Sequence, residues 1–95
     1  FGTLSYFPMQ ETLSLNDKKL KVRHTHNQII RQALQSRGSP ISKVDLYKSI
    51  WPKDIDIHIN KLDTHLTNLK NLLKENFNYD FLFKSQSSQI TFLIN

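Results

Sequence analysis

The stretch "IDIHINKLDTHLTNLKNLL", residues 55–73, limits what the chain can fold into more than any other. Its opening residues alternate apolar and polar, as in a half-buried strand. From Asn60 onward the apolar positions return every third or fourth residue, as on a helix. Ile55, Ile59, Leu62, Leu66, Leu69 and Leu73 are spaced 4, 3, 4, 3, 4. A strand accounts for Ile55, Ile57 and Ile59 alone, whereas helical spacing accounts for the whole series. The pattern predicts a helix over residues 60–75, with residues 54–59 forming either its first turns or a connecting loop.

The flanking segments supply the rest of an architecture. Residues 25–37, "THNQIIRQALQSR", put Ile29, Ile30, Ala33 and Leu34 on one side of a helix that Gly38 and Pro40 stop. In "SKVDLYKSIW", residues 42–51, Ser42 suits an N-cap and Asp45 a capping-box-like start. Leu46, Tyr47, Ile50 and Trp51 then share a face, and Pro52 ends the helix. Within residues 1–23, "TLSYF", "TLSL" and "LKV" read as strands of a small antiparallel sheet. "NDKK" at 16–19 reads as a turn, and Pro8 suits an edge or a strand end. The tail predicts strands at 80–84 and 89–94 around the polar turn "SQSS". The expected fold class is α+β: an N-terminal antiparallel sheet (1–23), a three-helix core (25–75) and a C-terminal β-hairpin (80–94), the order of a winged helix-turn-helix.

Composition narrows the function classes. With 95 residues the chain is one domain with a single core, and its start without Met reads as a domain cut from a longer protein. The absence of cysteine leaves no disulfide framework or zinc ribbon, and two glycines cannot build a Gly-rich phosphate loop. No apolar run is long enough to span a membrane and no secretory signal is evident, so a cytoplasmic domain is expected. The formal charge of +5 permits a polyanion partner. The acids lie scattered, with no Ser/His/Asp or paired-carboxylate arrangement. His24 and His26, or His58 and His65, make no convincing metal site without Cys or a nearby carboxylate. The expectation is a non-enzyme without cofactor, metal or small-molecule ligand.

Two motifs carry a resemblance. "SKVDLYKSIW" is similar to "S-R-E-x-L-L-x-x-V-W", the second helix of the C-terminal effector domain of OmpR/PhoB-type response regulators. "LDTHLTNLKNLL" at 62–73 is similar to the third-helix pattern "V-D-V-H-I-x-x-L-R-x-x-L", with Lys70 in place of the usual Arg. "IDIHINKL" at 55–62 fits the same pattern, but so close to Trp51 that the family's connecting loop has no room. The later register is preferred. The resemblance implies a winged-helix, DNA-binding output domain of a bacterial transcriptional regulator in a two-component system, with dimers forming on direct repeats. It departs from the family in a third helix without Arg and in a wing reading "SQSSQI", with Gln86 where an Arg would be and no glycine.

With the leucines of 62–73 turned inward, Asn60, Thr64, Thr67, Asn68 and Asn71 fall on the opposite side of the helix, at about 100° per residue. Lys61 and Lys74 flank them. Asn bonds adenine bidentately and Thr meets a thymine methyl or a phosphate, so this surface leans toward A·T-rich major grooves. Lys61, Lys70, Lys74 and Lys84 are the expected phosphate ligands. Carried over from the family motifs, His65 and Trp51 would touch phosphates as well. The alternatives are a half-buried structural imidazole and, the preferred reading for Trp51, core packing. Asp63 reads as structural. The rival function is a winged-helix module turned to protein binding, with RNA polymerase or a second copy as partner, because the Arg-free helix and uncharged wing weaken phosphate binding.

Overall fold

In the computed structural model, which describes residues 4–93, the alternation at the start of the chain becomes a three-stranded meander. β1 (Ser5–Phe7), β2 (Thr12–Leu15) and β3 (Lys18–Lys21) pair antiparallel in that order. Leu13, wholly buried, faces Leu20 across the ladder. The turn is shorter than "NDKK": Lys18 and Lys19 already pair with Leu15 and Ser14, and Asn16 takes the left-handed conformation (φ 54°) that asparagine tolerates. Pro8 opens a 3₁₀ turn, Pro8–Gln10, directly after β1. The Tyr6 hydroxyl bonds Asn27 on the first helix, and burial pushes its pKa up to about 12.

α1 (His24–Ser36) buries Ile29, Ile30 and Ala33. It ends through Arg37 and Gly38, both left-handed, and only at Gly38 is that conformation free of Cβ strain. β4 (Ile41–Ser42) leads into α2 (Lys43–Ile50), whose first turn is capped as expected: the Asp45 N–H donates to Ser42 Oγ at 3.3 Å. α2 buries Leu46 and Tyr47 and leaves Ile50 and Trp51 half-buried.

α3 (Ile59–Phe77) buries Leu62, Leu66, Leu69, Leu73 and Phe77. It closes in an αL motif, with Asn78 left-handed and its N–H on the Lys74 carbonyl (3.0 Å), and the Tyr79 N–H reaches back to the Leu73 carbonyl (3.2 Å). The helix overruns the expected 60–75 at both ends. Ile55, counted above as the first residue of its ridge, lies outside it. Residues 51–58 are neither helix nor strand, and Ile55 is 97% exposed. Pro52 has no N–H with which to prolong α2, and Asp54 pins the chain that follows. Its Oδ2 accepts the Tyr47 hydroxyl (2.6 Å) and the Lys61 ammonium (3.0 Å), so one carboxylate ties the loop to a helix on either side. The earlier copy of the family pattern, 55–62, falls on this loop and the first turn of α3.

β5 (Phe83–Gln86) and β6 (Gln89–Phe92) form the hairpin around Ser87 and Ser88. The first wing strand begins later than the expected 80–84, because the apolar run "FLF" starts before the pairing does. Phe81 is buried in the core, and Leu82 contributes one bond, from the Leu93 N–H, beyond the strand. β4 adds a third strand, in the order β4-β6-β5, with Ile41 opposite Ile90. Its two residues are too few for alternation to reveal. Residues 1–3, inside the expected N-terminal sheet, and residue 94, inside the expected last strand, lie outside the described residues. Both sheets and all three helices contribute to one apolar cluster, from Leu13 and Val22 through Ile30, Leu46 and Leu69 to Ile90 and Phe92. The architecture is a winged helix with an N-terminal antiparallel sheet.

Candidate nucleic-acid interface

Burial of the leucine ridge fixes the rotation of α3. Asn60, Thr64, Thr67, Asn68 and Asn71 are all exposed on its outer side. The Thr64 hydroxyl donates to the Asn60 carbonyl at 2.9 Å, which leaves its lone pairs facing outward. Among the described residues, the side chains of Asn60, Thr67, Asn68 and Asn71 make no hydrogen bond within the protein. Their donors and acceptors are solvated and free to exchange water for a ligand.

The lysines divide into two kinds. Lys61 bonds Asp54 and lies over the Trp51 ring, its ammonium 4.2 Å from the ring centroid. Lys74 pairs with Asp80 at 3.1 Å. Lys70 and Lys84 are exposed and, among the described residues, carry no ion pair. Lys84 and Gln86 lie on the same face of β5, opposite Thr91 and Gln89, and both are exposed. Asp63 receives Lys43, itself 8% exposed, at 3.7 Å, so it fastens α3 to the start of α2. The Lys43 N–H in turn bonds the Ser88 carbonyl, which binds that helix start to the wing.

Trp51 and His65 are packed together. The Trp51 ring lies 4.8 Å from Tyr47 and 5.3 Å from His65, and His65 meets the edge of His26 at 5.8 Å. Both ring nitrogens of His26 and Nδ1 of His65 are buried and, among the described residues, meet no hydrogen-bond partner. Burial lowers both imidazole pKa values. His65 and Arg23 add to the effect on His26, and Lys61 and Arg23 to that on His65. At neutral pH both rings are uncharged, which suits packing better than attraction to a phosphate.

The flank of α3 that carries His65 and Asn68 also borders cations that were not among the expected phosphate ligands. A cleft of about 310 Å³ is lined by Lys21, Val22, Arg23, His26, Asn68 and Leu72. Lys21 and Arg23 are exposed. The signal was available in "KKLKVR", where Leu20 and Val22 alternate with Lys19, Lys21 and Arg23 and so place the cations on one side of the extended segment.

No family model matches the chain, and no curated protein sequence does. Among solved structures, the DNA-binding domain of E. coli CadC superposes on 98% of this chain and 88% of that one, with a TM-score of 0.82 at 15% sequence identity. At that identity the two share the winged-helix fold.

Proposed function

We propose that this domain binds double-stranded DNA as the output module of an OmpR/PhoB-type transcriptional regulator, with α3 entering the major groove. The observation that carries the reading is the outer face of α3. It is a row of exposed Asn and Thr side chains, of which Asn60, Thr67, Asn68 and Asn71 make no hydrogen bond among the described residues, on a helix whose leucines hold it rigidly against the core. An α-helix fits the major groove, and each bidentate Asn–adenine contact contributes about 1–3 kcal/mol of base discrimination. Lys70 beside this face and Lys84 on the wing are free to meet phosphates, which position the helix without reading sequence. Lys61 and Lys74 reach a phosphate only by releasing Asp54 and Asp80. The superposition on the DNA-binding domain of CadC supports the reading at the level of fold, as do the family-like motifs of α2 and α3.

The test is a salt titration of binding to duplex DNA. The expected result is a straight fall of log affinity with log salt, steep enough for several phosphate contacts at about 0.9 per phosphate. A lack of binding to any duplex at low salt would overturn the proposal. It would favour the second reading, a protein-binding module, for which the projecting Ile55, with Ile57 exposed in the same loop, is the specific observation.

A further inference from the structure

β3 runs along α3 in the opposite direction. Lys18, at its start, lies over Phe77 at the end of α3, with 5.8 Å from ammonium to ring centroid. Arg23 and His26 lie beside Asn68 and His65, further back along the helix. The cleft between the two elements therefore borders the outer face of α3 at Asn68. On the other flank, Asp63 holds α2 and through it the wing, and Lys70 lies on that side, a helix interval of about 700° from Asp63. The neutral Asn/Thr face thus lies between cations: Lys70 toward the wing, and Lys21 and Arg23 toward β3.

The dimensions match a groove. A helix with its side chains is about 10–12 Å across, and the major groove of B-DNA is about 12 Å wide and bounded by a phosphate backbone on each side. A helix lying in the groove brings one flank to each backbone. Lys70 serves one side. On the other, Lys61 is held by Asp54 and no Arg exists on the helix, so the helix alone has no free cation there. Lys21 and Arg23 come from outside the helix-turn-helix to fill that place. Among the described residues no carboxylate lines the cleft, and His26, 5% exposed, contributes a neutral ring to it.

We propose that Lys21 and Arg23 form a phosphate-binding site for the DNA backbone on the β3 flank of α3, so that the N-terminal sheet clamps the strand that the Arg-free helix leaves unheld. The inference rests on the DNA-binding reading above. Its consequence is that the sheet is part of the DNA-binding surface as well as a support for the core.

The test compares salt slopes on one duplex for the wild type, Lys21→Ala, Arg23→Ala, Arg23→Lys and Arg31→Ala. Lys21 and Arg23 are exposed, so truncation leaves the core intact. Arg31 is an exposed cation on α1 beside Tyr6 and Pro8, away from α3, and controls for net charge. The expected result is a slope smaller by about one unit for Lys21→Ala and for Arg23→Ala, with Arg31→Ala near the wild type. Arg23→Lys should retain the wild-type slope. If wild type binds but Lys21→Ala and Arg23→Ala match Arg31→Ala, the clamp is overturned and the major-groove reading survives. If wild type binds no duplex, both fail together.

Discussion

His26 and His65 pack edge to face inside the domain, with buried ring nitrogens that meet no hydrogen-bond partner among the described residues. Each has a folded-state pKa below the ordinary 6.5, chiefly because burial penalises the charged ring. For a base depressed by folding, the unfolded chain binds the proton first. The stability these rings contribute is complete above about pH 6.5 and is lost as pH falls through their folded pKa values. The melting temperature should therefore drop between pH 7 and pH 5. His26→Phe keeps a ring and removes the titration, so it should flatten that drop; an unchanged pH profile would show that the imidazole is not responsible. On the outer face, Asn71 is exposed and lies clear of the cleft that Asn68 lines. Asn71→Ala should relax the preference for one base in a randomised-site selection while the salt slope stays as it was. A base contact specifies and a phosphate contact only positions.

α3 is the element on which packing and the proposed DNA contact meet, and it was also the most legible. From Leu62 to Leu73 the ridge suffices to place the leucines inside and the amides outside, because burial leaves a helix no other rotation. Leu69 is wholly buried, and Leu69→Ala should lower stability by about 2–5 kcal/mol in urea denaturation. The start of the helix was less legible, since Ile55 and Ile59 have the right spacing and only one of them is helical. What separates them is Asp54, tied to Tyr47 and Lys61 by side-chain bonds that spacing cannot reveal. Tyr47 above all, then Lys61, holds the Asp54 carboxyl below its usual range. Asp54→Ala should speed amide hydrogen exchange across residues 53–58 while leaving protection at Leu66 and Leu69 unchanged. Equal exchange in the loop would mean that Pro52 alone shapes it. Long-range pairing hid the remaining features: β4 is two residues long, and the pairing of β5 begins after its apolar run does.

Across the whole molecule, the net charge of +5 matters less than where the unpaired cations lie. Of the lysines expected to hold phosphates, Lys61 and Lys74 are engaged by the protein's own carboxylates, while Lys70 and Lys84 are not. Lys21 and Arg23 were overlooked because chain distance separates them from the helix they flank, and only the docking of β3 along α3 brings them together. The charged surface is thus assembled from both ends of the chain around a neutral centre. Chemical-shift mapping of the ¹⁵N-labelled domain titrated with duplex DNA tests that centre most directly. The account predicts the largest shifts at the side-chain amides of Asn60, Asn68 and Asn71 and along the backbone from 60 to 71. Shifts confined to the loop at 52–58 or the Pro8–Gln10 turn, with α3 silent, would contradict it.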